Sequence, residues 1–200
     1  RFGSTNEIGV FEMADSGLVE IPNPSQMLLE GRPEGASGTC VACVMEGTRP
    51  VLAEVQALVS KTSFNVPRRT SDGFDYNRAA LLLAVAEKRA GMKLSAFDAY
   101  INVIGGLQLT EPGADLPLIL AAASSYRDQP IADDLVAIGE VGLTGEIRSV
   151  SHLNQRLAEI ARLGFKKAII PRGGSEKLEI PEGLTVYRVK NLREAIEMAM

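Results

Sequence analysis

The sequence is short of the side chains on which many enzyme sites depend. Its 200 residues contain no tryptophan, one histidine and two cysteines, and only 5% of them are aromatic. His152 lies far from Cys40 and Cys43 in sequence, so we expect no metal site. The longest apolar runs, Ala79–Ala86 and Leu116–Ala123, are too short to span a bilayer. Because no charged start followed by an apolar run opens the chain, we expect no secretion signal, no membrane contact and a cytoplasmic location.

The two cysteines form a Cys-x-x-Cys pattern, which is typical of zinc and redox sites. They lie, however, in a segment, Thr39–Glu46, that is predicted to be a strand. Residues three apart on a strand point to opposite faces of the sheet. We therefore expect two buried, reduced thiols that do not meet.

Positive charge is concentrated in two parts of the chain, although the net charge is −4. Residues 61–93 carry seven basic and three acidic groups, and residues 148–200 carry ten basic and six acidic groups. The rest of the chain is acidic. Such segregation builds a local positive surface on an acidic protein. On charge alone, two ordinary solvated helix faces explain the blocks equally well.

The order of predicted elements favours an α+β fold with a mixed sheet and packed helices. Apolar spacing and terminal glycines predict helices at 24–29, 76–89, 116–125, 153–163 and 192–200. Apolar runs predict strands at 39–46, 51–59, 99–104, 167–170 and 185–189, with two further segments in 136–150. A hairpin is expected at 7–21, and residues 60–75, which offer little to bury, are predicted to be a loop.

Consecutive segments resemble the peptidase domain of the Lon family. The run Val136–Arg148 contains Thr144-Gly145-Glu146-Ile147, which is similar to a Thr-Gly-Glu-Ile segment of these enzymes. The helix that follows continues into Gly164 and a strand that ends at Pro171, in the same order as in Lon. The resemblance implies a Lon-peptidase-like domain over residues 7–200.

Other stretches resemble the RadA (also called Sms) family of bacterial DNA-repair ATPases, in which a Lon-like domain follows a RecA-like core. Arg1-Phe2-Gly3 resembles the end of that family's Lys-Asn-Arg-Phe-Gly motif. Residues 1–6 are therefore interpreted as a remnant of the linker motif, and Arg1 as a remnant of an ATP site. The remaining matches are Asp75–Arg78, Glu87–Gly91 and Glu111–Leu116. Since the chain begins with Arg rather than Met, we expect it to be part of a longer protein.

The resemblance also implies a function and partners. It implies ATP-driven branch migration of recombination intermediates, a homo-hexameric ring, binding of single-stranded DNA and interaction with a RecA-type recombinase. ATP and Mg²⁺ are expected in the ATPase core and zinc in an N-terminal finger, with no cofactor in this part. The chain contains no Gly-x-x-x-x-Gly-Lys-Ser/Thr phosphate loop, in line with that expectation.

Lon peptidases use a serine that is activated by a lysine, and the resemblance assigns both positions here. Aligned without gaps, the family's serine run puts Leu116 in the serine position. The lysine helix puts Asn154 and Arg156 in the two candidate lysine positions. Leucine is no nucleophile, and arginine stays protonated in proteins, so it does not act as a base. We therefore expect no catalytic residues and a non-proteolytic scaffold domain.

Affinity for DNA comes mainly from basic side chains that neutralise phosphates. The candidates are Lys61, Arg68, Arg69, Arg78, Lys88 and Arg89, followed by Arg127 and Arg148. Arg78 and Arg89 lie eleven residues apart, close to three helical turns, and so share a face. Phe74 and Tyr76 are aromatic side chains of the kind that stack on bases, but burial in the core is the favoured interpretation.

Three alternatives stay open at this point. The domain can be a purely oligomeric scaffold that never touches DNA. It can be an active Ser–Lys peptidase, which the lost dyad opposes. It can also hold a nucleotide or effector in the groove inherited from the peptidase.

Overall fold

The computed structural model describes residues 11–20 and 23–200, in which helices and strands alternate along the chain. The strands are β1 (Phe11–Ala14), β2 (Gly17–Glu20), β3 (Thr39–Glu46), β4 (Arg49–Lys61), β5 (Arg69–Asp72), β6 (Phe97–Val103), β7 (Leu135–Ala137), β8 (Glu140–Val141), β9 (Ile147–Arg148), β10 (Lys167–Pro171) and β11 (Thr185–Val189). The helices are α1 (Pro24–Leu29), α2 (Tyr76–Ala90), α3 (Asp115–Arg127), α4 (Leu153–Arg162) and α5 (Leu192–Ala199), with 3-10 turns at Leu94–Ala96 and Pro112–Ala114.

Seven of these strands form one mixed sheet in the order β11-β10-β7-β3-β4-β6-β5. Strands β11, β10, β7 and β3 run parallel to one another, and β5 runs parallel to β6. Strand β4 is antiparallel to both of its neighbours. Two short hairpins, β1–β2 and β8–β9, lie outside this sheet. The predicted α+β fold with a mixed sheet and packed helices is confirmed.

Both faces of the sheet are covered by helices, so two apolar clusters form. The larger cluster contains side chains of α2, α3 and α5, and the smaller one contains those of α4. Helix α3 is apolar nearly all round and is buried over its whole first two turns, as a helix enclosed on all sides must be. The amphipathic helix α4 buries only one side, at Leu153, Leu157 and Ile160.

The alternation of side chains along β3 separates the two cysteines. Cys40 belongs to the larger cluster and Cys43 to the smaller one, so they lie on opposite faces of the sheet. Both thiols are free and buried, as predicted. Burial raises the pKa of the Cys40 thiol to about 12 and raises the pKa of Cys43 as well.

Capping residues fix several helix ends where the sequence predicts them. The side chain of Asn23 accepts a hydrogen bond from the Gln26 amide at the start of α1, and that of Asp75 accepts one from the Arg78 amide at the start of α2. Gly91 closes α2 in the left-handed conformation, with φ of 69°. The predicted hairpin is confirmed over β1 and β2, whereas residues 7–10 and the 1–6 linker remnant with Arg1 lie outside the described residues.

Two predicted segments differ in the structure. The loop expected at 60–75 is wrong at Ser60 and Lys61, which end β4, and over Arg69–Asp72, which forms the edge strand β5. This strand has polar side chains because one long side of it pairs with no other strand, so it lacks the apolar pattern that marks inner strands. The run 136–150 contains parts of three short strands rather than two, since β7 joins the main sheet while β8 and β9 form a hairpin.

Candidate functional site

The position that the Lon resemblance assigns to serine lies at the beginning of α3. A 3-10 turn at Pro112–Ala114 leads into the helix, and Leu116 follows one residue after the helix begins. The Leu116 side chain is 0% exposed, and its amide donates to the Gly139 carbonyl over 3.1 Å. The side chain at this position is therefore packed in the core and is not accessible to solvent.

The two candidate lysine positions on α4 point in different directions. Arg156 is 1% exposed and donates from Nη1 to the Cys43 carbonyl over 2.8 Å and from Nε to the Ser151 carbonyl over 2.9 Å. Asn154 instead bonds to the loop after β10, donating to the Lys177 carbonyl over 2.8 Å. Only Arg156 thus faces the segment that leads to Leu116.

A backbone contact joins the Leu116 and Arg156 positions. The Gly139 amide donates to the Gly113 carbonyl over 3.0 Å. A methyl group added at Gly113 would lie 3.3 Å from Nη1 of Arg156, and one added at Gly139 would lie 3.4 Å from a Leu116 methyl carbon. The two positions that the resemblance assigns to the dyad therefore lie beside this glycine pair. A methyl group at Gly139 would also lie 2.7 Å from a methyl carbon of Ile147, so a larger residue does not fit there without a shift.

Glu111 neutralises the buried guanidinium of Arg156. Its carboxylate accepts from both Nη1 and Nη2 of Arg156, the latter over 3.0 Å. Such a bidentate pair matches the planar fork of an arginine. Each nitrogen of the Arg156 guanidinium has a carbonyl or carboxylate partner, and no buried side-chain nitrogen or oxygen of the described residues lacks one.

A second ion pair lies on the other side of Leu116. The Asp115 side chain is 1% exposed and accepts from Nε of Arg78 over 3.1 Å, from Nη2 of Arg78, and from the Val141 amide over 3.0 Å. Burial raises the pKa of the Asp115 carboxyl, while the hydrogen bonds from Arg78 and Val141 act in the opposite direction. Two charge pairs, Glu111–Arg156 and Asp115–Arg78, thus lie at the segment that leads into α3.

The basic residues predicted to contact DNA do not form one continuous surface. Arg69 donates to the carbonyls of Leu94 and Phe97 over 2.9 and 2.6 Å, and Arg78 is bound to Asp115. Arg78 and Arg89 share a face of α2 as expected, but that face packs on the β8–β9 hairpin, where Arg89 donates to the Leu143 carbonyl over 3.3 Å.

The remaining candidates are exposed at separate places. Arg148 is paired with Glu146 at 3.2 Å, and Arg127 ends α3 on the surface. Lys88 is exposed on α2. Lys61 and Arg68 lie on either side of β6, because Lys61 pairs with Phe97 and the Arg68 carbonyl accepts from the Ala99 amide. Two strand spacings separate them, or about 10 Å.

An aromatic side chain that was not among the predicted candidates, Phe64, lies beside Arg68. The guanidinium of Arg68 lies 3.7 Å from the centroid of the Phe64 ring. Phe64 is 44% exposed and Val66 is 75% exposed in the same loop between β4 and β5. Of the aromatics that were considered, Phe74 is buried as favoured, whereas Tyr76 is exposed. The sequence does mark Phe64, because it is an aromatic residue in a loop between the basic residues Lys61 and Arg68.

The carboxylate of Asp98 on β6 holds the end of the loop between β4 and β5. It accepts from the Arg68 amide over 2.7 Å. That hydrogen bond, helped by Thr62 and the charges of Arg68 and Arg69, lowers the pKa of Asp98. We call Lys61, which ends β4, and the loop residues Phe64 and Arg68 together the loop cluster.

The mixed sheet and the helices that cover it fit a Lon-type peptidase domain, and comparison with known families agrees. The family of the Lon protease (S16) C-terminal proteolytic domain matches residues 84–200, and the chain belongs to this family. The more specific relatives are bacterial proteins named DNA repair protein RadA. The chain is 51% identical over 200 residues to that of Listeria monocytogenes, 52% to that of Halalkalibacterium halodurans and 50% to that of Bacillus subtilis.

These matches cover the whole of this chain but 44% of the length of each relative. The resemblance to RadA proteins predicted from the motifs is confirmed. In the described residues no helix is long and apolar enough to cross a membrane. Over the same residues there is no group of three or more side chains that could hold a metal ion.

Proposed function

We propose that this chain is a non-proteolytic Lon-like scaffold domain of a RadA-type protein of DNA recombination and repair. The observation that carries the proposal is that, in a Lon-family fold, the positions which the resemblance assigns to the dyad hold Leu116, which is buried in the core, and Arg156, which pairs with Glu111. The relatives named DNA repair protein RadA, at about 50% identity over the whole chain, support the same biological role.

The loss of peptidase chemistry is argued from the side chains at these two positions. A serine peptidase needs a hydroxyl beside a base that can accept its proton. Leu116 has no hydroxyl, and Arg156 is always charged. Treatment of the chain with a fluorophosphonate probe, with an active Lon peptidase as positive control, is expected to give no labelling. The proposal would be contradicted if the probe labels a serine of the folded chain and no longer labels it after the chain is denatured.

Contact with DNA is assigned to the loop cluster. Lys61 and Arg68 supply positive charge, and Phe64 supplies an exposed ring on which a base can stack. Nothing in this arrangement reads a sequence, so binding is expected to be weak for one domain and to be strengthened by repetition in a ring. Fluorescence anisotropy with single-stranded DNA at several salt concentrations tests this. Binding without salt dependence would contradict it.

An assembly role is supported by the β1–β2 hairpin. Phe11, Met13 and Leu18 on this hairpin are 54%, 75% and 68% exposed, which is unusual for side chains of this size on a monomer. We assign to the chain a part in a homo-hexamer, and the purely oligomeric scaffold is the second candidate function. Light scattering of the chain and of a Met13→Ser/Leu18→Ser variant tests it, since the variant is expected to lose association without losing its fold.

The remaining properties belong to the proposal for the longer protein. They are ATP-driven branch migration, ATP and Mg²⁺ in an ATPase core, zinc in an N-terminal finger, a RecA-type recombinase as partner, and a cytoplasmic location. They rest on the family resemblance. Branch-migration assays with the longer protein, in which the loop cluster is intact or removed, would connect this domain to that activity.

A further inference from the structure

A pocket of about 340 Å³ lies where two parallel strands of the main sheet end. Strand β10 ends at Pro171 and β11 ends at Val189. Arg172 follows the first of these strands and Arg188 lies near the end of the second, and both line the pocket. The crevice outside the carboxyl ends of parallel strands is the usual place of ligand binding in sheets of this kind. Neither arginine belongs to the predicted DNA-binding set.

The opposite wall of the pocket is the segment between β9 and α4. Ser149 and Ser151 line it, together with Ser175 from the loop after β10. Gly174 in this loop has φ of +124°, and a methyl group added there would lie 3.2 Å from Cβ of Ser149. Only glycine allows this backbone conformation and this close approach. The loop is therefore brought against the serine segment, which closes the pocket on that side.

The charges around the pocket leave the Arg188 guanidinium for a ligand. The third charged lining residue is Glu176, whose two carboxylate oxygens accept from the Leu153 and Asn154 amides over 3.0 and 3.2 Å. Its negative charge is thus bound to the N-terminus of α4. Arg172 pairs with Glu194 at 3.7 Å, and its Nη2 also donates to the Arg188 carbonyl over 3.3 Å, which holds the two arginines beside each other. Within residues 11–20 and 23–200, Arg188 takes part in no ion pair shorter than 4.0 Å.

We propose that this pocket binds a phosphate monoester. Two guanidinium groups provide the fork that fits phosphate oxygens, and three serine hydroxyls can donate further hydrogen bonds. A cavity of about 340 Å³ is at the small end of ligand pockets, so it suits a phosphate with one attached sugar rather than a large ligand. The phosphate comes from a mononucleotide or from the 5′ end of a strand. This inference goes beyond the proposed function, because the lining of the pocket contains neither the loop cluster nor Leu116, Asn154 or Arg156.

The test is an NMR titration of the isotopically labelled chain at constant ionic strength. The probes are inorganic phosphate, thymidine monophosphate, and a short oligothymidylate with and without a 5′ phosphate. Saturable shifts of the Gly173, Gly174 and Ser175 amides are expected with the phosphorylated probes. Arg188→Ala is expected to weaken this binding about tenfold or more, because charge-assisted hydrogen bonds to phosphate are lost.

The matched control is Lys166→Ala. Lys166 is an exposed cation just before β10, at the opposite end of that strand from Arg172, so its removal alters the net charge equally but not the pocket. Thermal melting checks that both variants fold. Tighter binding of the 5′-phosphorylated oligomer than of the monophosphate identifies a strand end as the source, and the reverse order identifies a free nucleotide.

Two results would overturn the proposal: no localised shift with any phosphorylated probe, or equal weakening by Arg188→Ala and Lys166→Ala. Neither result affects the proposed function. Loss of DNA binding in loop-cluster variants together with an unchanged phosphate titration would separate the two sites in the same experiment.

Discussion

Arg78 on α2 and Asp115 at the beginning of α3 form an ion pair that fixes the residue next to Leu116. The carboxylate is buried, and the Val141 amide is its one other hydrogen-bond donor among the described residues. The pair links α2, α3 and the β8–β9 hairpin at one point. The first turn of α3 therefore has a structural role, since it connects three elements of the fold.

Removal of Arg78 should destabilise the fold. Arg78→Ala leaves the Asp115 carboxylate buried with one amide donor, and an unsatisfied buried acceptor costs about 1–3 kcal/mol. Thermal melting should show a decrease in Tm of several degrees, whereas Lys88→Ala, on the exposed side of the same helix, should change it little. Equal melting of the two variants would show that the pair contributes nothing. Arg78 is consequently a poor choice for a test of DNA contact.

The pair at the lysine position should be more sensitive still. Glu111→Ala leaves the guanidinium of Arg156, which is 1% exposed, without its counter-charge. Breaking a buried pair in this way costs about 3–5 kcal/mol. Glu159→Ala, which breaks the pair with the exposed Arg162, is the matched control and should cost about 1 kcal/mol or less. Chemical denaturation of both variants measures the difference, and similar midpoints would contradict this account.

The sequence predicts most of the secondary structure because the core elements have clear apolar patterns. Helices α2 to α5 and strand β3 lie within two residues of their predicted bounds, and the glycine that ends α2 is visible in the sequence. Strand β5 was missed because an edge strand of four polar residues leaves no such pattern.

The site was predictable only in part. The dyad positions follow from the family resemblance, but the partners of Arg156 and Asp115 do not. Glu111 lies 45 residues from Arg156 and Arg78 lies 37 residues from Asp115, so no local spacing marks either pair. The same limit applies to Arg69, whose donors are used by backbone carbonyls of a distant 3-10 turn and strand.

The two thiols should be unreactive in the folded chain. Burial raises the pKa of Cys40 to about 12, and the pKa of Cys43 is raised too, so neither forms the reactive thiolate at pH 8. A disulfide-exchange reagent should therefore give no rapid colour change with native protein and should titrate both thiols after denaturation. Rapid reaction of the native chain would show that solvent reaches a thiol on one face of β3. Formation of an intramolecular disulfide would contradict their placement on opposite faces of the sheet.

The three residues of the loop cluster should affect DNA binding in different ways. If Lys61 and Arg68 each neutralise one phosphate, Lys61→Ala and Arg68→Ala should each reduce the slope of log affinity against log salt by about one. Phe64→Ala removes a stacking surface and no charge, so it should lower affinity at every salt concentration and leave the slope unchanged. Lys166→Ala is again the control, because that cation lies just before β10, which is three strands from β4 and five strands from β5 in the sheet. Anisotropy titrations with single-stranded DNA measure both quantities. A slope that falls equally for Lys166→Ala, or an affinity that does not respond to Phe64→Ala, would move DNA contact away from this loop and favour the purely oligomeric scaffold.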